Sequence, residues 1–477
     1  MSLKKNVISN FILTSSTILF PLITFPYVTR VLSSNGLGSI FFIDAFSQYF
    51  IILSSLGIPF YGVREIAKHK HDVKRNSDLV VELVILQFFL ALTCCCIFFA
   101  LHFFIPKLGS QISLIQIACL SILSNSFLIE WYYQGIENFS YITKRSLIIK
   151  SLSVIAILVL VKQQDDYILY FLILSLLVFS NSFLNFYNFY KHFYKGWPEK
   201  LNLSIHLKPL LVLFSINVSI SVYTVLDTVI LGFFTTPVAV SFYNVPLKLV
   251  KMFWLLIAGI GTVLIPRMSV LHANKNNEAI KDLMAKSINV IFLIALPFSF
   301  FCVVFPTEIL TIISGKKYLP AINVLRILSL IPLIIGLCNV FGTQYLLPIG
   351  QERKILHATI LGLVVSLTAN FILIPIYSFT GAAISCLLAE LTVCIYIYIW
   401  ARKNIAITFD YKLLSLIVLS LLPSFLLTLG LKNYLSSLSM MTLSIFVYII
   451  SFILFQLLLF RNKFVEEIVS NILKFKK

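Results

Sequence analysis

The feature that most constrains this chain is its series of long apolar segments separated by short polar gaps. A helix of about twenty apolar residues spans the hydrocarbon core of a bilayer, whereas the strands of a membrane barrel have about ten alternating residues. The sequence therefore predicts an all-α integral membrane protein with fourteen transmembrane helices. The predicted spans are 9–32, 38–62, 78–105, 112–136, 146–162, 167–190, 209–234, 238–265, 286–305, 320–347, 355–375, 380–401, 412–431 and 439–460.

The composition agrees with a chain that lies almost entirely in a membrane. Charged residues make up 12% of it and hydrophobic residues 59%, with a mean hydropathy of +0.97. A soluble protein has about twice that charged fraction. The net charge of +18 could suggest a nucleic-acid partner. We predict none, because the basic residues lie in the gaps between apolar segments, as orientation signals do.

The basic residues also predict the orientation. With an internal N-terminus, the outer gaps hold only Lys107, Lys162, Lys316, Lys317 and Lys432, and nearly all other basic gap residues lie inside. Cytoplasmic loops carry an excess of Lys and Arg, so we expect both termini in the cytoplasm. The first segment resembles a signal peptide, but Pro21 and Pro26 interrupt it and no small-residue cleavage site follows. We predict that it is a retained first span.

The long predicted cytoplasmic gap at 191–208 divides the chain. Six spans precede it and six follow to residue 401, which predicts two lobes related by a pseudo-two-fold axis along the membrane normal. The predicted domains are an N-terminal six-helix lobe (1–195), a C-terminal six-helix lobe (196–403), two extra transmembrane helices (404–460) and a cytoplasmic tail (461–477). The tail has the pattern of an amphipathic surface helix.

No gap is long enough for a folded catalytic domain, and the chain has no phosphate-binding loop of the Walker type. We therefore predict a protein that is not an enzyme and has no cofactor, with a proton or sodium gradient as a possible energy source. The cysteines and histidines lack metal-ligand spacing, so no metal site is expected.

Charged residues inside apolar segments are the candidate functional residues, because an ion in hydrocarbon costs several kcal/mol or more. The candidates for substrate binding are Arg30, Asp44, Asp227, Lys248 and Arg326, and those for ion coupling are Asp44, Glu130 and Glu390. Cations in a wet cavity suit an anionic headgroup such as a diphosphate, since Arg offers a bidentate fork and Lys a compact charge.

Each candidate also has a structural interpretation. Arg30 could extend to the outer headgroups, and Asp227 and Arg326 could form structural ion pairs. Glu130 and Glu390 could serve as structural hydrogen-bond partners. Glu82, near the end of its span, fits a solvated residue better than a buried one. A short loop containing glycine, Ser33–Gly38, joins the first two predicted spans.

Several stretches together resemble one known family. They are PLITFPYVTRVL, GLGSIFFIDAF and SLGIPFYGVREIAK near the N-terminus, IEWYYQGIENFSYITKRS at 129–146, FYNVPLKLVKMF through GTVLIPRMS at 242–269, and LPIGQERK followed by NFILIPIYSFTGAAISCLLAE at 347–390. The combination resembles the O-antigen and capsule polysaccharide flippases of the Wzx type. These belong to the multidrug/oligosaccharidyl-lipid/polysaccharide exporter superfamily. The resemblance extends to about residue 403.

The resemblance implies two six-span lobes around a central cavity. It also implies alternating-access transfer of an undecaprenyl-diphosphate-linked oligosaccharide from the cytoplasmic to the outer leaflet of a bacterial inner membrane. Asp44 then takes the acidic role of the second span, Arg30 is the first-span cation, and Lys248 is the basic residue of the eighth span. A polysaccharide polymerase and a chain-length regulator are candidate partners besides the lipid bilayer.

Two other functions stay open at this point. A multidrug or cation exporter of the same superfamily would need an acidic cavity, and this chain has at least as many candidate cations as acids. A membrane-embedded polysaccharide polymerase would need a larger loop or domain for catalysis than these gaps provide.

Overall fold

Helices form all the regular structure of the described chain. The structure, a computed structural model, describes residues 3–70, 72–431 and 436–467, and no strand occurs in these ranges. The helices are α1 (Leu3–Val31), α2 (Ser34–Ser55), α3 (Ile58–Lys68), α4 (Val73–Phe104), α5 (Pro106–Gly109), α6 (Ile112–Asn125), α7 (Glu130–Gly135), α8 (Phe139–Leu160), α9 (Tyr167–His192), α10 (Leu203–Phe234), α11 (Pro237–Ala273), α12 (Asn277–Val304), α13 (Pro306–Ser314), α14 (Ile322–Leu328), α15 (Ile331–Asn339), α16 (Glu352–Asn404), α17 (Tyr411–Leu431) and α18 (Ser437–Phe455). A 3₁₀ helix (Lys316–Ala321) and two π-helices (Val340–Leu346 and Gln456–Phe460) complete the set.

Many of these helices can cross a membrane. Within the described ranges, 10 helical stretches are long and apolar enough to do so, among them Val73–Phe104, Tyr167–His192 and Asn277–Val304. This confirms the predicted all-α, multi-pass membrane protein. The number of fourteen spans and the two-fold relation between the lobes stay predictions. The predicted tail helix lies mostly at 468–477, outside the described residues, although 463–467 are helical.

Several predicted spans are broken by residues with left-handed backbone. The predicted span 38–62 divides into α2 and α3 at Leu56 (φ 44°) and Gly57 (φ 77°). The predicted span 112–136 likewise divides before α7, where Ile129 has φ 30°. A positive φ is costly for a β-branched or bulky residue, so the surrounding packing must hold these breaks in place.

The start of α2 corrects the predicted loop at Ser33–Gly38. The helix begins at Ser34, and the Ser33 hydroxyl caps it by accepting a hydrogen bond from the Gly36 amide at 3.1 Å. A Cβ atom at Gly38 would overlap the backbone carbonyl oxygen of Pro237, the first residue of α11. The two glycines of this stretch therefore serve close helix packing and not a flexible loop.

Helix α16 contains two of the predicted spans, 355–375 and 380–401. It breaks at Ser378, which has φ 51° and ψ −129°. Beyond the break the chain folds back on itself. Two close approaches show this: a Cβ at Gly381 would overlap the carbonyl of Leu373, and one at Gly362 would overlap the Val393 side chain. In both pairs, a residue before the break lies beside one at a similar distance after it. This is the pattern of an antiparallel helical hairpin.

The chain divides into two compact units, Met1–Asn244 and Val245–Lys477. All of α10 thus groups with the helices that precede it, whereas the predicted lobe boundary lies at 195–196. The assignment of lobes stays a prediction. The first unit has an apolar core around Ile58, Tyr132 and Tyr133. The core of the second unit includes Ile288, Val340 and Leu416.

Candidate functional site

A polar cluster lies inside the first unit, where α10 meets the start of α11. Asp227 on α10 is only 6% exposed and accepts a hydrogen bond from the Tyr243 hydroxyl at 2.9 Å. The next residue on each helix forms a second hydrogen bond between α10 and α11: the Thr228 hydroxyl donates to the Asn244 side-chain oxygen at 3.0 Å. A buried carboxylate is tolerated only where hydrogen bonds replace its water, and Tyr243 supplies one of them.

Helix α2 adds its acid to this region. Asp44 is half-buried, as is Tyr49, five residues further along α2. Helix α2 packs against α10, which carries Asp227, and against α9. We call Asp44, Tyr49, Asp227, Tyr243 and Asn244 the intramembrane polar cluster. Two carboxylates with phenol and amide partners can take up a proton or bind a cationic group.

The candidate cations occupy different environments. Arg30, in the last turn of α1, is exposed, and Lys248 on α11 is half-buried. Arg326 is exposed and belongs to the second unit, where its Nε donates to the Val303 carbonyl at 3.2 Å. Its guanidinium also donates to the Asn323 side chain at 3.4 Å. These contacts hold Arg326 at the end of α12, and its role in substrate binding stays a prediction.

Glu130 and Arg145 form an ion pair between α7 and α8. Arg145 is 5% exposed, and its guanidinium also donates to the Asn181 carbonyl at 3.4 Å. Arg145 is among the basic residues that the sequence places on the cytoplasmic side, and the structure shows that it is a buried, paired cation and not a solvated one. Because Glu130 holds a buried cation, the structure favours the structural alternative for this acid. Glu390, the third acid proposed for ion coupling, is half-buried in the second half of α16.

A second buried acid, Glu82, joins three helices of the first unit. Glu82 accepts hydrogen bonds from the Asn202 amide and from His206 Nε2, both at 2.8 Å. The other ring nitrogen of His206 lies 2.8 Å from the Tyr61 hydroxyl. The interpretation of Glu82 as a solvated end residue was wrong, since it is 8% exposed. No local signal reveals this group, because its partners lie far apart in the sequence.

No metal site is evident in the part of the chain that the structure describes: no group of three or more His, Cys, Asp or Glu residues is placed to hold an ion. The site is thus a set of buried polar side chains within an apolar helical protein. The described fold is that of a multi-pass membrane protein.

The sequence matches a known family over more than half its length. Residues 3–272 match the family described as polysaccharide biosynthesis protein, and residues 213–372 match the MatE family. Two curated relatives, each named "Putative O-antigen transporter", come from Shigella dysenteriae and Escherichia coli K12. The first is 25% identical over 83% of this chain and 98% of the relative, and the second is 25% identical over 85% and 98%.

Solved structures show the same fold at low sequence identity. A lipid II flippase MurJ in an inward closed conformation superimposes with a TM-score of 0.72 at 15% identity, covering 96% of this chain and 98% of that one. An inward-facing multidrug resistance MATE family transporter of the MOP superfamily gives 0.64 at 15% identity, covering 81% and 94%.

The chain therefore belongs to the polysaccharide biosynthesis protein family. The O-antigen transporter relatives and the likeness to the MurJ fold agree with the resemblance to flippases of the Wzx type. The family and these neighbours are transporters and flippases, which agrees with the prediction that the protein is not an enzyme.

Proposed function

We propose that this protein moves undecaprenyl-diphosphate-linked oligosaccharide repeat units, destined for O-antigen or capsule, from the cytoplasmic to the outer leaflet of the inner membrane by alternating access. The observation that carries the proposal is the match along 98% of two O-antigen transporter relatives, combined with a flippase fold. Both termini then lie in the cytoplasm, as the distribution of Lys and Arg predicts.

The chemistry of the substrate suits the candidate residues. A diphosphate carries negative charge that must leave water during transfer, and cations in a cavity compensate for the lost hydration. Arg30 and Lys248 are the proposed headgroup contacts, as the sequence predicts. Asp44 and Asp227 balance these charges when the substrate has left, which avoids uncompensated cations in a low-dielectric site.

The proposal includes coupling to an ion gradient. The intramembrane polar cluster contains two carboxylates among apolar helices, and such acids bind protons or sodium in transporters. Asp44 is the proposed coupling residue, because it is half-buried and so remains accessible to an ion in some part of the cycle. A polymerase and a chain-length regulator are proposed to receive the product.

Complementation of a bacterial strain that lacks its own O-antigen flippase tests the function. We expect the wild-type gene to restore surface glycan, and an exporter of drugs or a polymerase to leave the strain deficient. Arg30→Ala and Lys248→Ala should each reduce a vesicle flipping rate at least tenfold. The matched control is Arg75→Ala, which removes an exposed arginine at the start of α4. Wild-type flipping by both cavity variants, at normal expression, would refute the proposed headgroup contacts.

A further inference from the structure

At one end of the α16 hairpin, two lysines contact the ring of one tryptophan. The Nζ atom of Lys354 lies 3.6 Å from the centroid of the Trp400 ring, and that of Lys403 lies 4.4 Å from it. The contacts follow from the hairpin, since the fold at Ser378 brings the first turn of α16 beside its last turns. The side-chain amide of Asn404 donates to the Trp400 carbonyl at 2.9 Å and closes this final turn.

Two arginines increase the charge at this end of the hairpin. Arg353 and Arg402 are exposed and each is adjacent in sequence to one of the lysines. The part of the chain that the structure describes shows no ion pair for any of these four basic residues. This contrasts with other basic residues in predicted cytoplasmic regions, such as Lys68 and Lys74, which pair with Glu65 and Asp78. We call Arg353, Lys354, Arg402, Lys403 and Trp400 the hairpin basic site.

Positive charge predominates at this end of the hairpin, because four basic residues face one acid of the same end, Glu352 in the first turn of α16. Both ammonium groups contact one ring, so they are roughly 8 Å apart at most, and like charges at such distances repel. Lys354 also lies in the first turn of a helix, where the backbone dipole disfavours cations and favours anions. Cation–π contacts hold the two lysines in place but leave their remaining hydrogen-bond donors available.

The position of the site indicates what kind of anion fits. The apolar part of the hairpin ends just before Trp400, and Trp side chains favour the headgroup level of a bilayer. A ligand here would have its phosphate beside the cations and its acyl chains along the exposed apolar face of α16, which includes Ile395 and Ile399. These features describe a lipid and not a free ion.

We propose that the hairpin basic site binds the headgroup phosphate of an anionic phospholipid in the leaflet at this end of α16, which is the predicted cytoplasmic leaflet. Lys354 and Lys403 contact the phosphate, the Trp400 ring contacts both lysines, and Arg353 and Arg402 attract the headgroup. The bound lipid relieves the repulsion between the two lysines and so stabilises the hairpin. The proposal goes beyond glycan transfer and does not depend on it.

Native mass spectrometry of the full chain, purified in detergent, tests the proposal with phosphatidylglycerol and phosphatidylcholine as probes. We expect the wild type to retain phosphatidylglycerol about tenfold more tightly, since each basic residue near the surface contributes to such binding. The variant Lys354→Gln/Lys403→Gln should bind the two lipids within about twofold of each other. The control Lys68→Gln/Lys74→Gln makes the same change of charge at paired lysines and should keep the wild-type preference. A melting curve of each variant shows that it is folded.

Three outcomes would overturn the proposal. The first is equal retention of both lipids by the wild type, and the second is an unchanged preference in the Lys354→Gln/Lys403→Gln variant. The third comes from another probe, undecaprenyl diphosphate. If that lipid is retained through Lys354 and Lys403 while phosphatidylglycerol is not, the site belongs to the transported headgroup. A loss of glycan transfer with the lipid preference intact would refute the proposed function and leave this site unaffected.

Discussion

His206 Nε2 lies 2.8 Å from Glu82 Oε2, and the two side chains are only 9% and 11% exposed. This contact joins the first turn of α10 to α4, and the Tyr61 hydroxyl joins the same ring to α3. These contacts are buried within the first unit, so they fix the position of the first turn of α10 against α3 and α4. Their contribution to the free energy of unfolding can be measured.

We expect His206→Ala to destabilise the first unit by about 1–3 kcal/mol, because it leaves a buried Glu82 oxygen without its partner. Tyr61→Phe is the matched control, since it removes one hydroxyl and keeps the contact between His206 and Glu82. Its cost should be smaller, about 1 kcal/mol. Equilibrium unfolding in mixed micelles measures both. Equal costs would show that the contact of His206 with Glu82 contributes little.

The ion pair between Arg145 and Glu130 should matter more than an exposed one. Glu130→Ala leaves the buried Arg145 without its carboxylate, and breaking such a pair costs about 3–5 kcal/mol. Lys70 and Glu137 form an exposed pair at 2.7 Å, so Lys70→Ala should cost no more than about 1 kcal/mol. Thermal unfolding of the two variants in one detergent compares them. A similar loss in both would contradict the structural role of the buried pair.

The loop before α9 should be sensitive to acid. The amides of Lys162 and Gln163 donate to Asp166 Oδ2 at 2.8 and 2.7 Å, and these hydrogen bonds lower the pKa of the carboxyl. A carboxyl whose pKa is lower in the folded state stabilises that state above its unfolded pKa, and the contribution is lost as the pH falls through the folded value. We expect the protection of these amides against hydrogen exchange, corrected for intrinsic rates, to fall at acidic pH. Asp166→Ala should remove both the protection and its pH dependence, because it removes the accepting oxygen.

Gly38 should be intolerant of any side chain. A Cβ there would overlap the Pro237 carbonyl oxygen, and a backbone atom cannot move aside as a flexible side chain can. We expect Gly38→Ala to lower the melting temperature by several degrees or to prevent folding. Gly430→Ala is the control, because no atom lies within 4 Å of the added carbon and alanine favours a helix by about 1 kcal/mol. A Gly38→Ala variant as stable as wild type would contradict this close approach.

The helices follow from the sequence because apolar segments in a bilayer must satisfy their own backbone hydrogen bonds. The helix breaks at Leu56, Ile129 and Ser378 cannot be predicted from the sequence. A positive φ at these residues is imposed by packing and not by local preference. The sequence also does not show which polar groups are buried. Arg145 looks like a charged residue of a loop, and only its contact with Glu130, fifteen positions earlier, shows that it is buried within the protein. For Asp227, the cost of a charge in hydrocarbon predicted a partnered carboxylate, and the structure shows it buried with the Tyr243 hydroxyl as a hydrogen-bond partner, while its role in transport stays a prediction.

Asp227 and Tyr243 allow a structural role to be separated from a role in transport. If Asp227 balances the charge of the substrate contacts, Asp227→Asn should reduce the flipping rate at least tenfold while keeping a near-wild-type melting temperature, because an amide still accepts the Tyr243 hydrogen bond. Tyr243→Phe removes that hydrogen bond and keeps the charge, so it should lower stability by about 1–3 kcal/mol and leave the flipping rate within about twofold. The flipping assay and the melting curve are measured on the same preparations. The reverse pattern, with a stable but inactive Tyr243→Phe and a fully active Asp227→Asn, would assign the function to the phenol and not to the carboxylate.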